Sequence, residues 1–279
     1  MLEIRAATRG EVDLLIDWAA AEGWNPGRGD AAAFYAADPK GFIIGLLDGE
    51  PVGGVSVVAS SHDYGFLGLY IVREAWRGKG LGMQLWRHGM ARLGARVVGL
   101  DGVLARQGDY ARSGFVLAHR NIRFGGRLAS PVRLSPRVRA VAPRDADAIA
   151  AYDAPLYGTP RRAFLETWLA PADGRRACVL EGKAGIEGYT VARQCREGWK
   201  IGPLFADTPA AAEALLDACA PGIADGQVFI DAPEPNTATL AMLRRRGFKP
   251  EFETVRMYKG PAPPLPLDRI FGITTFELG

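Results

Sequence analysis

At 279 residues, with 48% hydrophobic and 23% charged side chains, the chain has material for a sizeable core and the length of two domains. Its 34 basic and 31 acidic residues leave a net charge of +3 with no basic stripe, which argues against a nucleic-acid or membrane-surface partner. The chain opens without an apolar signal core, and no apolar run nears the roughly 20 residues of a bilayer span, so a cytoplasmic protein is expected.

Leu2–Ala6 alternates as a short strand. Thr8 then stands as an N-cap, with Glu11 as its capping-box partner, before a helix carrying Val12, Leu15, Ile16 and Ala19 on one face. The segment 22–30 is rich in turn residues and holds an isolated Trp24; Asp30 caps a second short helix ending at Asp38-Pro39. Strands 41–47 and 52–59 flank the hairpin turn Asp48-Gly-Glu-Pro51. Strand 66–72 runs into a glycine-rich turn, and the helix behind it places Leu81, Leu85, Met90 and Leu93 inward. A strand at 97–103, a short helix through Tyr110 stopped by Gly114-Phe115, and a strand at 119–124 complete this half.

Ser130–Pro136 has the composition of a linker, and after it the pattern restarts. Val138-Arg-Ala echoes Ile4-Arg-Ala at a separation of 134 residues, and Arg246-Gly-Phe248 echoes Ser113-Gly-Phe115 at 133. Landmarks near both ends of each half thus agree to within one residue, which implies a duplicated architecture. Three cysteines (Cys178, Cys195, Cys219) and three histidines (His62, His88, His119) show no ligand spacing, so no metal is expected.

The chemistry centres on Arg77-Gly-Lys-Gly-Leu-Gly82. Strand, glycine turn and helix form a physical recipe for holding phosphate. Glycine lets the backbone adopt positive φ and approach a ligand, while the free N–H groups of the first helical turn face an anion. Arg73, Arg77 and Lys79 add positive charge there. A P-loop is excluded because no Gly-Lys-Ser/Thr is present, and a Rossmann unit fits badly because the turn follows the fourth strand.

This stretch resembles the Arg/Gln-x-x-Gly-x-Gly/Ala acyl-CoA loop of the GCN5-related N-acetyltransferases (GNAT), and the order of elements around it is similar. The whole chain is similar to a two-domain bacterial subgroup of that family. The resemblance implies an α+β (mixed α/β) fold of two tandem domains, each with a mostly antiparallel sheet flanked by helices. The expected division is a catalytic domain at 1–128, a linker at 129–137 and a degenerate, non-catalytic domain at 138–279. It implies acetyl-CoA as co-substrate, its pyrophosphate held at Arg77, Gly78, Lys79, Gly80, Leu81 and Gly82. The pantetheine arm would bond to Ile71 and Val72, with the thioester entering a splay between that strand and the next. Tyr110 matches the position of the family's general acid, and a phenol pKa near 10 lies close to that of a thiol. Where the family often has asparagine, seven residues earlier, this chain has Val103, leaving Gln107 as the nearest polar replacement. Strand 66–72 carries no carboxylate, so deprotonation through ordered water is the expected route, with His62 (beside Asp63) the alternative base. Trp24, Asn25 and Asp30 fall where the family lines its acceptor pocket.

In the second half, the position of the glycine turn holds Ala206-Asp-Thr-Pro, without glycine and with an acid that would repel phosphate; the tyrosine position holds Leu243. One cofactor site per chain is therefore expected, with the second half packing against the first and walling the acceptor pocket. The expected activity is acetyl transfer from acetyl-CoA to a primary amine, of a small molecule or amino acid, by direct attack in a ternary complex. Acetylation of a protein N-terminus or lysine is the alternative in the same class, and a non-catalytic acyl-CoA sensor the alternative in another. Self-association is left open. The closing segment Arg269–Gly279 is expected to dock as a terminal strand.

Overall fold

The computed structural model, which describes residues 1–128, 134–223 and 226–279, begins each half with the same cap. After strand β1 (Leu2–Ala6), Glu11 accepts from the Thr8 backbone N–H at 2.7 Å and is clasped by Arg5 at 2.8 Å. After β7 (Val138–Ala140), Asp145 accepts from the Ala142 N–H at 2.8 Å and is clasped by Arg139. In both halves the arginine holds its carboxylate down to a pKa of about 2, chiefly by hydrogen bonding.

The elements then repeat in order. The first half continues α1 (Arg9–Ala21), α2 (Asp30–Ala37), β2 (Phe42–Leu47), β3 (Glu50–Ala59), β4 (Tyr64–Val72), α3 (Leu81–Leu93), β5 (Val97–Val103), α4 (Gln107–Arg112) and β6 (Val116–Arg127). The second continues α5 (Ala146–Tyr157), α6 (Arg162–Trp168), β8 (Arg175–Glu181), β9 (Ile186–Gln194), β10 (Trp199–Ala206), α7 (Pro209–Cys219), β11 (Gln227–Pro233), α8 (Thr237–Arg245) and β12 (Lys249–Lys259), followed by β13 (Ile270–Gly272). Of the expected linker, residues 129–133 lie outside the described residues.

The halves share one sheet and exchange their last strands. Its order is β1-β2-β3-β4-β5-β12-β6-β11-β10-β9-β8-β7, so β12 completes the first half against β5 while β6 completes the second against β11. The two exchanged strands pair with each other, antiparallel, at the centre. Most neighbours are antiparallel; β4 with β5 and β10 with β11 are the parallel pairs. The repeat in sequence ends near residue 128, but hydrogen bonding within the sheet does not.

Two apolar layers sandwich the first half of the sheet. On one face α1 and α2 bury Leu15, Phe34, Leu69 and Ile71 in a cluster that also takes Phe276 and Leu278 from the end of the chain. On the other face α3 buries Leu85, Trp86 and Leu93 with Leu67, Leu100 and Phe115. Helices α7 and α8 cover the second half with Leu215, Leu216, Leu240 and Leu243. The closing segment does dock: β13 pairs with β10, and residues 273–279 are buried. Cys195 and Cys219 are buried free thiols and Cys178 is half-buried.

Candidate functional site

Strands β4 and β5 run side by side only from Tyr64 to Leu67. Beyond that point β4 bulges: its register against β3 jumps from Gly68 opposite Ser56 to Ile71 opposite Gly54. Leu69 sits at φ +44, a left-handed value costly for a branched residue and concentrated where the strands part. The parting opens a cavity of about 790 Å³. At one end stand Arg77, Gly78, Gly80 and Gly82 of the turn. Its walls include Trp86 and Tyr110 from the α3 side and Leu69, Trp24 and Phe276 from the α1–α2 side. The cavity therefore crosses the sheet through the splay.

The glycine turn has the expected shape. Gly78 and Gly80 lie at φ +76 and +75, and a Cβ on either would point into open space. Gly80 caps α3 with no side chain of its own, leaving the first-turn N–H groups free for an anion. Gly82 serves packing instead: a Cβ there would lie 2.7 Å from the Tyr70 hydroxyl. Arg77 lines the cavity, donating to the Val72 carbonyl at 2.8 Å and pairing with Glu22. Ile71, Val72 and Leu81 also line it. The residues present thus fit a phosphate-bearing thioester threaded from the turn into the splay.

Tyr110 is packed against Trp86, ring centroids 5.9 Å apart, and lies directly over β5. Gly102 makes this possible, since a Cβ there would come within 2.7 Å of Tyr110 Cδ2 and closer to Cε2. Burial first, then the nearby Tyr70 phenol, push the Tyr110 pKa up to about 12. That revises the sequence expectation of a phenol matched to a thiol. The group is held protonated.

Several expected site residues are not brought together here. His62 is 97% exposed, bonded to Asp63, and precedes the start of β4, roughly 20 Å of strand from the bulge, so it is not placed to act as base. Gln107 begins α4 outside the cavity lining, and Lys79 lies over the Trp76 ring at 4.6 Å. Asn25 exchanges two hydrogen bonds with the Glu197 backbone, and Asp30, fully buried, accepts from Gly27 N–H and Arg193. Both tether the α1–α2 loop to the second half rather than facing the cavity. Trp24 does line it, its carbonyl fixed by Arg123 and Lys200.

Other lining residues escape local sequence reasoning because they come from distant segments. Phe252 and Thr254 arrive on the exchanged strand β12, and Phe276 and Glu277 on the tail. Asp101, on β5 at the splay, is closed by a bidentate pair with Arg256 (2.8 and 2.6 Å) and by Asn121 at 2.8 Å. The one visible signal in the tail was compositional, because Glu277 is the sole charge in Ile270–Gly279.

The equivalent opening in the second half is shut. β10 and β11 pair over Trp199–Ile201 and then part, but β13 fills the gap, pairing with β10 while Ile273 N–H donates to the Asp231 carbonyl at 2.8 Å. Asp207 is tied to Tyr152 and Arg269, and Thr208 caps α7 with its own side chain. The tail then crosses to the first half, where it lies against Gly68. Among the described residues no cluster of His, Cys, Asp or Glu could hold a metal, and no helix is long and apolar enough to cross a membrane.

Residues 12–115 match the acetyltransferase (GNAT) family, and residues 149–272 match an acetyltransferase (GNAT) domain. Holothin acyltransferase of Pseudoalteromonas sp. (strain SANK 73390) is 32% identical over 99% of this chain and 94% of its own. A structure from Pyrococcus horikoshii, provisionally assigned as an acetyltransferase, superposes with a TM-score of 0.83 at 24% identity, covering 100% of this chain and 96% of that one. A tandem GNAT protein from the clavulanic acid biosynthesis pathway gives a TM-score of 0.63 at 16% identity, over 94% of this chain and 100% of its own. These two structures establish likeness of fold.

Proposed function

The chain belongs to the GNAT acyltransferase family, and from that premise we propose that it transfers an acetyl group from acetyl-CoA to a primary amine of a small molecule, by direct attack in a ternary complex. One observation carries the reading: the cavity enters at the glycine turn, crosses the sheet at the β4–β5 splay and ends against β12 and the tail.

The donor's phosphates sit on the N–H groups of the turn, with Arg77 beside them, and its arm bonds to the backbone of Ile71 and Val72 that β5 leaves free. Tyr110 donates its O–H to the thioester sulfur. With a pKa of about 12 against roughly 8.5 for a thiol, the phenol does not simply ionise to protonate the thiolate. It passes its proton to sulfur as the C–S bond breaks and regains one from the nitrogen that has formed the C–N bond. The residues that wall the far end come from both halves, which favours a compact acceptor over an extended peptide.

Thiol release from acetyl-CoA over a panel of small amines, peptides and no acceptor tests the reading. Amine-dependent release is expected; release that no amine stimulates refutes it.

A further inference from the structure

Glu277 is 2% exposed and lines the cavity, yet among the described residues neither of its carboxylate oxygens has a hydrogen-bond partner. Arg123, Arg193 and Lys200 lie near enough to feel its charge, and each is engaged elsewhere. Arg123 is bidentate to Asp231 at 2.7 and 2.9 Å, Arg193 bonds Asp30 at 3.1 Å, and Lys200 bonds the Trp24 carbonyl at 3.0 Å. A second residue in the cavity wall, Thr254, also has a buried hydroxyl without a partner. Asp101, the splay's other buried carboxylate, is fully bonded by contrast. A buried carboxylate without donors is costly, and a ligand that brings donors recovers that cost. Trp24, Phe252 and Phe276 contribute aromatic wall to the same cavity, suited to a flat or apolar body.

We infer that Glu277, assisted by Thr254, is the amine-receiving end of the cavity, and that the acceptor is a primary amine carried on a compact aromatic or apolar frame. The inference rests on the acyltransferase reading and deepens it. The incoming ammonium donates to Glu277 and hands it one proton, freeing the lone pair. Nitrogen then forms the C–N bond to the thioester carbonyl carbon while the C–S bond breaks. Its second proton reaches the departing sulfur by way of Tyr110, and Glu277 releases the first to solvent with the product. The second half thereby supplies a group that meets substrate, although it has no donor loop of its own.

The test uses the full chain, acetyl-CoA, and primary amines paired with their hydroxyl counterparts. Acetyl-CoA should raise the melting temperature of wild type and of Glu277→Gln alike, with the variant melting at or above wild type because an unpartnered charge is gone. Its kcat/KM for the amine should fall about 10²-fold, with KM raised and kcat lowered because glutamine neither pairs with the ammonium nor takes its proton, and with partial recovery in Glu277→Asp. Thr254→Val should lower it by about tenfold or less. Unchanged amine kinetics in Glu277→Gln, or a melting temperature well below wild type with kinetics that merely follow the folded fraction, overturns the inference and makes Glu277 a counter-charge. If Glu277→Gln does not fold, unchanged amine KM in both Glu277→Asp and Thr254→Val overturns it. Turnover of hydroxyl compounds but of no primary amine also overturns it, with the donor site intact. No thermal shift with acetyl-CoA in wild type removes the acyltransferase reading and this inference together.

Discussion

Gly68→Ala is the smallest change that probes how the tail is held against the bulge. A Cβ at this position would lie 2.9 Å from the Glu277 carbonyl carbon and 3.0 Å from its Cα, closer still to the oxygen. Ordinary carbon contacts sit at about 3.5–4.0 Å, so tail and strand must separate by roughly 1 Å. Overpacking of this kind costs about 1–3 kcal/mol. With an unfolding entropy of about 2.1 cal/mol/K per residue over this 279-residue chain, the melting temperature should drop by about 2–5 °C. The displaced tail should also raise the amine KM about tenfold, as a misplaced positioning group does, while acetyl-CoA still stabilises, because the turn is untouched. Gly202→Ala is the control. Its Cβ would come within 2.6 Å of the Ile273 carbonyl in the plugged gap of the second half, so it should lose comparable stability with a smaller effect on amine KM. Melting curves and steady-state kinetics on both variants decide the matter. Wild-type melting temperature and KM in Gly68→Ala would refute the placement of the tail.

Gly80→Asp puts a carboxylate into the glycine turn at φ +75; acetyl-CoA at a hundred times its Kd should stabilise wild type by about 2.7 kcal/mol, and scanning calorimetry should find that gain abolished in the variant, whereas a full shift counts against the loop. Tyr110→Phe should lower kcat about 10²-fold with acetyl-CoA affinity kept, and Gly102→Ala, which pushes the ring off β5, should follow it in direction; equal turnover reduces Tyr110 to packing. Residues 1–128 produced alone can close β5 only with their own β6 and lack Phe252, Thr254, Phe276 and Glu277, so amine-dependent thiol release should be lost even if the half folds; a half that turns over amines as the full chain does contradicts the part given to the second half. Glu11 and Asp145 have depressed pKa values of about 2, so their contribution is complete above the ordinary carboxylate range and is lost as pH falls from about 4.5 towards 2. Glu11→Gln should flatten the acid limb of stability measured by urea titration, and an unaltered slope would show that the cap is not ionised.

The parts of the molecule that could be read from the chain are those governed by neighbours in sequence. Glycines at alternate positions after a β-branched run forecast the turn, and the spacing of Tyr110 from Gly114-Phe115 brought it to the splay. The Ile4-Arg-Ala and Val138-Arg-Ala echo revealed the repeat, and the structure gives its local reason: in each half the arginine clasps the carboxylate that caps the next helix. The exchange of β6 and β12 was not legible, since two equivalent strands present equivalent edges and only three-dimensional closure chooses between them. Asp30 misled for a similar reason: it stands in the first turn of α2, behind Gly29 at the cap, and nothing local discloses Arg193, 163 residues away. The acceptor end of the cavity was hidden most completely, because Phe252, Thr254, Phe276 and Glu277 reach it from the other half.

The exchange of final strands also sets a clock on the protein's birth. β5 ends at Val103, but the strand that covers its edge begins at Lys249. At about 5–20 residues per second of synthesis, that edge waits roughly 7–30 s for its partner, open to mispairing with β6, which emerges first. The tail that walls the cavity is made later still. A nascent chain can therefore carry a formed glycine turn and a placed Tyr110 before the cavity has its far wall.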